Sequence, residues 1–386
     1  MAQTTQKVRF VDPAKLYGMY KEELDQAYFG VMETGNLIDR QQLWDFEENL
    51  ARFVGTKYAV GLNSGYDALH MSLRAAGIGP GDEVIVPAHT FVATASAVVN
   101  VGARPVLVDV GPDHNLNVEL VEAAVTPQTR AIIPVHLNGH MADLPPLMAL
   151  AEKHGLVVVE DACQSLGASQ DGRRAGSWGL TGCWSFYPFK ILGGYGDGGA
   201  LTTDDPDVAQ FARRMRFNGE DRQSGEYHGH GFTCLLDNLQ AAFLDVKLRH
   251  LPEWIEKRRR IASTYQEAFA DLPDLALPHY EAPADGRRDV FQNYVVRAKA
   301  GDAFSDHMKA NGVEVLVQWR KPYYRHAALR LEDRGFPETE ALSAEVCSLP
   351  MAVELDDHEI EYVIQAVRSF GPVSYTHLRA HETGRN

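Results

Sequence analysis

Apolar and polar positions along the first half of the chain fall into two alternating rhythms. Leu43, Phe46, Leu50 and Phe53, with Trp44 beside them, recur at helical spacing and stop at Gly55, which predicts an amphipathic core helix over 43–54. Beyond it, short apolar runs alternate with helix-period segments. Helices are expected over 66–76, 94–101, 118–124 and 144–153, and strands over 83–87, 105–110 and 130–136. Leu156-Val157-Val158-Val159-Glu160 closes the series as a strand apolar on both faces, the pattern of a buried parallel strand. Strands alternating with helices predict an α/β fold with a mainly parallel central sheet and crossover connections.

The rhythm changes after a predicted helix over 239–248. Leu251-Pro252 is the expected lobe boundary, giving a large domain over 1–250 and a small C-terminal domain over 251–372. In the latter, Val290–Val296 reads as a strand, followed by a helix and a second strand over 313–317, an α+β layout. Arg258-Arg259-Arg260 falls on a predicted long helix and reads as a solvated face.

Two segments carry candidate chemistry. Lys190 stands between the aromatic run Trp184-Ser185-Phe186-Tyr187-Pro188-Phe189 and the glycine-rich Ile191-Leu192-Gly193-Gly194-Tyr195-Gly196-Asp197-Gly198-Gly199. A lysine flanked by Phe and Ile is poorly solvated, and desolvation favours the neutral amine that attacks an aldehyde. Taken alone, a lysine beside a tight turn is more often a surface residue. Asp161 ends the apolar run 156–160, where open α/β sheets bind ligands. A carboxylate there can keep a pyridinium nitrogen protonated, although an isolated aspartate after a strand more often caps a helix. Gly194-Tyr195-Gly196-Asp197-Gly198-Gly199 also satisfies G-x-G-x-x-G. That dinucleotide fingerprint needs a strand before it and a helix opening from it. Here Pro188 and Lys190 precede it and a predicted strand, Ala200-Leu201-Thr202-Thr203, follows, so the dehydrogenase reading fails.

Both segments, with Asp171-Gly172-Arg173-Arg174-Ala175-Gly176-Ser177 between them, closely resemble the DegT/DnrJ/EryC1/StrS family of pyridoxal phosphate-dependent sugar aminotransferases. Asn63-Ser64-Gly65-Tyr66-Asp67, Gly79-Pro80-Gly81-Asp82-Glu83, Thr90-Phe91-Val92, Leu239-Gln240-Ala241 and Ser348-Leu349-Pro350-Met351 extend the likeness to about Phe370. The resemblance implies the fold-type I aminotransferase architecture, helices on both faces of the sheet, and active sites assembled in a homodimer. It implies pyridoxal 5'-phosphate joined to Lys190 as a Schiff base, Asp161 at the ring nitrogen, Gln164 near the ring hydroxyl and Phe91 stacked on the ring. Ser64, Gly65 and Ser185 are implied at the phosphate. Tyr66 stands where the family usually has threonine, and the helix that follows offers backbone amides and a dipole to an anion. By itself the same turn is equally an ordinary N-cap, and Phe91 equally a core residue. Thr233 and Leu235 replace the frequent Asn and Arg of the segment that reaches the neighbouring subunit's phosphate, and Asn138 stands where tyrosine is frequent.

The implied activity is transfer of an amino group from a donor, L-glutamate by resemblance, to a nucleotide-linked keto sugar. Dehydratases of the family replace the lysine with histidine, and Lys190 argues against that chemistry. A non-catalytic cofactor-binding regulator would be expected to bring a DNA-reading element, and the chain offers no basic recognition helix. The acceptor pocket is expected to draw on Val317-Gln318-Trp319-Arg320-Lys321-Pro322-Tyr323-Tyr324, where Arg320 or Lys321 either meets a diphosphate or, equally, is simply solvent-exposed.

Composition narrows the field further. The 52 acidic residues outnumber 37 basic ones, for a formal charge of -15, the wrong sign for a nucleic-acid surface. Cys163, Cys183, Cys234 and Cys347 are widely spaced, as expected for reduced thiols in a cytoplasmic enzyme. His228 and His230 have no third ligand nearby in sequence, so no metal is expected. No apolar run approaches the ~20 residues of a membrane span.

Residues 373–386 have no secondary-structure period, and Val373–Thr383 matches the translation of a common transposon-end sequencing adapter. The natural sequence is expected to break off near Pro372, with His377 and His381 belonging to the artefact. Resequencing the source locus checks this, and a genomic reading frame running through Tyr375 to Thr383 would refute it.

Overall fold

The computed structural model describes residues 8–278 and 286–370, so the expected adapter tail lies outside the described residues. Its centre is a seven-stranded sheet: β1 Tyr58–Leu62, β2 Glu83–Pro87, β3 Arg104–Val108, β4 Thr129–Ile132, β5 Val157–Asp161, β6 Thr181–Ser185 and β7 Gly199–Thr203. The spatial order is β1-β7-β6-β5-β4-β2-β3. Every pairing is parallel except those of β7, which runs against both β6 and β1.

Alternation of side chains across the pleat divides the strands between two cores. Ala59, Ile85, Ile132, Val158, Trp184 and Ala200 join one apolar cluster with the helices Gln41–Val54 and Leu144–His154. Their neighbours Val60, Val84, Ala131, Val159, Cys183 and Leu201 join the other with the helices Gly65–Ala75 and Pro206–Met215. Helices therefore cover both faces, which is why these strands carry apolar residues at consecutive positions.

Most predicted elements lie within a few residues of their expected bounds, and the departures have identifiable causes. Trp44 is exposed, its indole nitrogen donating to Asp39, while Leu43, Phe46 and Leu50 are buried. The segment after β4 leaves the ladder at Ile132, and Val135 makes only an isolated bridge to Asp161. The expected helix over 239–248 continues as one 32-residue helix, Asn238–Phe269, through Pro252 and across the expected boundary. Pro252 removes one backbone donor, yet Leu251 and Trp254 on either side are buried, so packing holds the helix through it. Arg258 is buried rather than solvated, donating to the carbonyls of Phe291 and Gln292.

The C-terminal lobe is built on a three-stranded antiparallel sheet, Leu275–Ala276, Tyr294–Ala298 and Val346–Leu349. Helices Gly301–Ala310 and Asp357–Arg368 pack with it around Tyr265, Phe304 and Met308. The expected strand over 313–317 is reduced to bridges from Val313 to Val8 and from Leu316 to Ser348. Asp109, at the end of β3, accepts the first backbone N–H groups of helix Pro337–Glu345 and the Thr339 hydroxyl, which ties the lobe to the sheet.

Candidate active site

The carboxyl ends of β2 to β6 all open on one edge of the sheet, and the loops leaving them carry most of the candidate residues. Asp161 ends β5, is buried, and accepts the Thr94 hydroxyl at 2.8 Å and the Cys163 N–H at 3.3 Å. Thr94 lies on helix Val92–Asn100, and Thr90 hydrogen-bonds to it at 3.0 Å. One carboxylate is thus oriented from two sides.

Lys190 follows β6 in a tight turn, its N–H donating to the Tyr187 carbonyl at 2.8 Å. Burial pulls its ammonium below the ordinary lysine pKa, against the opposing charges of Cys163 and Asp161. Among the described residues its amine makes no hydrogen bond or ion pair. The Cys163 thiol, close enough to feel both charges, is pushed up by burial and by Asp161.

The turn Asn63-Ser64-Gly65 leads from β1 into helix Gly65–Ala75, with Ser64 as N-cap. The Ser64 hydroxyl accepts from the Asp67 N–H and donates to the Asp67 carboxylate at 2.7 Å. That exchange leaves the Gly65 and Tyr66 amides, first in the helix, without intrahelical partners and free for an anion. Backbone approach fixes where this helix starts. A Cβ on Gly65 would lie 2.6 Å from the Cys163 sulfur and 2.9 Å from Ser185 Cβ, and one on Gly199 would lie 2.2 Å from the Ser64 carbonyl carbon. Only glycine at both places lets the turn lie against β6 and β7 beside Asp161 and Cys163. Ser185 is therefore at the cradle.

The other expected residues are placed differently. The Tyr66 hydroxyl accepts from Asn100 at 2.6 Å, and its ring stacks on His70, so its side chain is engaged with the neighbouring helix. Gln164 is buried, with Oε1 accepting the N–H of Asn138, whose φ is +61°. Phe91, 55% exposed, caps helix Val92–Asn100 and lies 6.4 Å from the Trp319 ring. Thr233 is exposed and donates to Asn218, and its neighbour Cys234 accepts the Asn63 N–H. Arg320 donates through Nε to Asp302 and through Nη1 to the carbonyls of Ser343 and Val346. Lys321 is exposed.

His89, His114, Asn293 and Arg297 escaped the sequence reading. His89 is buried against Trp319 and His114, and burial lowers its imidazole to about 4, so it is neutral at pH 7. His114 and Asn138, with Asn293 and Arg297, line an adjoining cavity of about 200 Å³. His114, Asn138, Phe291 and Trp319 all have positive φ, a conformation that bulky residues adopt only where surroundings impose it. The glycine-rich loop leads into β7, not a helix, and is anchored to the long helix. Gln240 accepts the Tyr195 N–H at 2.8 Å. Lys247 donates to the Gly193 carbonyl at 2.6 Å, with its ammonium 3.7 Å from the Tyr195 ring centroid.

A mainly parallel sheet with one reversed strand, a lysine after β6 and an aspartate ending β5 defines a fold-type I aminotransferase. The chain belongs to the DegT/DnrJ/EryC1/StrS aminotransferase family, whose model matches residues 19–368. It is 40% identical to a dTDP-3-amino-3,4,6-trideoxy-alpha-D-glucose transaminase of Streptomyces venezuelae, over 95% of this chain and 97% of that protein. It is also 39% identical to a pleiotropic regulatory protein of Geobacillus stearothermophilus, over 94% of this chain and 98% of the relative. The crystal structure of S. venezuelae DesV in complex with a ketimine intermediate superposes with a TM-score of 0.90 at 40% identity, covering 94% of this chain and 98% of DesV.

Lys247 gives the loop anchor a pH signature. It is 3% exposed, and burial lowers its folded pKa to about 8 from the ordinary 10.5. The unfolded chain therefore binds more proton between those values, so the contribution of this position to stability rises with pH across that window. Wild-type protein is expected to gain on the order of 3 kcal/mol over a Lys247→Met variant as pH goes from about 8 to 10.5. Urea unfolding of the two proteins measures it, and parallel pH profiles would contradict the assignment.

Proposed function

We propose that the chain is a pyridoxal 5'-phosphate-dependent aminotransferase that moves an amino group from L-glutamate to a nucleotide-linked keto sugar in amino-sugar biosynthesis. The observation that carries this reading is Lys190. Its amine has no described hydrogen-bond partner, burial disfavours its charged form, and it lies within electrostatic reach of the oriented carboxylate of Asp161 and of Cys163, which abuts the glycine-lined anion cradle. These residues fit the cofactor at both of its demanding ends. The amides of Gly65 and Tyr66, with the helix N-terminus and Ser185, would hold its phosphate. Asp161, turned by Thr94, would hold the proton on its ring nitrogen, and Phe91 would cover a ring face. Gln164, whose carboxamide oxygen accepts the Asn138 N–H, would serve the ring hydroxyl.

When bound, pyridoxal phosphate supplies an aldehyde for the amine and a ring that absorbs electrons from the donor's α-carbon. Lys190 Nζ, whose charged form burial disfavours, takes a proton from that carbon and returns it as the amino group is moved. Neutral His89 adds no competing charge at this edge.

We further propose a homodimer acting in the cytoplasm. Phe91, Tyr187 and Phe189 are each about half exposed beside the site, and Phe29 and Met32 form a second exposed apolar group. Such surfaces favour burial against another copy, and the exposed Thr233 is available to it. The four cysteines are all free, which suits a reducing compartment. Among the described residues no helix is long and apolar enough to cross a membrane.

Holoenzyme mixed with L-glutamate is expected to convert its cofactor to the amine form with release of one equivalent of keto acid. No conversion by any amino donor would sink the transferase reading. Lys190→Ala is expected to lose the borohydride-reducible link to the cofactor and to slow turnover about 10²–10⁴-fold, and a variant that keeps that link would refute the lysine's assignment. Sedimentation velocity at micromolar concentration should report a dimer, and a monomer there would overturn that part of the proposal.

A further inference from the structure

The Lys190 amine makes no described hydrogen bond, so its position is set by the backbone that carries it. That backbone is gripped by one side chain from the far end of the chain. The Gln292 carboxamide accepts the Ile191 N–H at 2.7 Å and donates to the Phe189 carbonyl at 3.0 Å. The two contacts fall on the peptide groups immediately before and after Lys190. Gln292 is 6% exposed. Its two polar atoms match one donor and one acceptor, which fixes the amide's orientation, because a flipped amide would set oxygen against oxygen.

The grip is itself anchored. The buried Arg258 guanidinium donates to the Phe291 carbonyl at 2.9 Å and to the Gln292 carbonyl at 3.3 Å. The Asn293 N–H donates to the Asn138 carbonyl at 3.1 Å. A Cβ on Gly139 would lie 2.5 Å from the Gln292 nitrogen, so the segment sits directly on the loop that Gln164 orients. Phe291 is held at φ +49° in this passage.

We propose that Gln292 is a positioning residue for the amino-transfer reaction, acting through Lys190 by clamping both flanking peptides so that the amine meets the donor carbon at a fixed height. The inference rests on Lys190 being the cofactor-bearing lysine. Gln292 itself touches neither cofactor nor substrate in this account.

Two substitutions separate positioning from mere stabilisation. Gln292→Met keeps length and apolar bulk and removes both hydrogen bonds. It is expected to retain the borohydride-reducible link at Lys190, to shift the pH midpoint of the lysine-bound cofactor's absorbance, and to slow the glutamate half-reaction about 10²-fold, as a displacement on the order of 1 Å does. In apoprotein, amide exchange in the peptide covering Tyr187–Gly193 should speed up. Gln292→Glu supplies the sharper test, because a protonated carboxyl reproduces the amide's donor and acceptor while a carboxylate faces the Phe189 carbonyl with repulsion. Its half-reaction rate should approach wild type below the pKa of the new acid and fall toward that of the methionine variant above it.

A methionine variant with wild-type rate and wild-type exchange overturns the proposal. So does a glutamate variant whose pH profile parallels wild type, which still decides the matter if the methionine variant fails to fold. If reduction of the wild-type holoenzyme labels a residue other than Lys190, the parent assignment fails instead, while the exchange measurement still reports whether the clamp exists.

Discussion

A wholly buried carboxylate one residue before the site organises the sheet edge. Glu160 accepts backbone N–H groups from Gly176 at 2.7 Å, Trp178 at 2.6 Å and Gly179 at 2.8 Å, and pairs with His136 Nε2 at 3.0 Å. The Ala142 N–H donates to His136 Nδ1, which leaves Nε2 as the protonated nitrogen that points at Glu160. An unpaired charge at such depth costs several kcal/mol, and breaking a buried pair typically costs about 3–5 kcal/mol. The five groups must therefore stay together. They lock the end of β5 to the loops after β4 and before β6, and Asp161 is aimed at the site by its neighbour.

From that fixed point the site is assembled by backbone contact more than by side-chain reach. The anion cradle exists because Gly65 and Gly199 allow one turn to lie against two strands. The lysine turn exists because Gln240, Lys247 and Gln292 hold carbonyls and amides on either side of it. Both devices place functional atoms without touching them, and the lysine turn uses the buried side chains of Lys247 and Gln292, each hydrogen-bonded to main chain, the condition under which such groups specify a geometry.

The inner parallel strands β2 to β5 were legible because they are largely apolar on both faces and bounded by turn residues, whereas β1 went unread; Asp161 stood out because it ends such a run, and Lys190 because it follows an aromatic one. The residues that support them were not. Gln292 follows Lys190 by about a hundred positions, and its only local signal is a polar pair, Gln292-Asn293, interrupting an apolar run ahead of a strand. Arg258 reads as one of three charges on a helix, and only the tertiary fold shows that it is the one turned inward. Trp44 shows the converse, since an aromatic at helical spacing is drawn to the edge by a hydrogen bond to Asp39. Local pattern fixes elements, whereas long-range hydrogen bonds choose which members of a repeated type are used.

The glycine-lined cradle also constrains how relatives of this chain can diverge. Wherever an anion seat is closed by main chain, no exchange of side chains can reshape it by degrees, because the first methyl group already collides with neighbouring strands. Descent can tune side chains elsewhere at this edge instead, where His89 packs on Trp319 and Asn138 lines the adjoining cavity. The anion seat is therefore inherited as an unchanging socket, and novelty in the molecules accepted has to accumulate at side chains outside it.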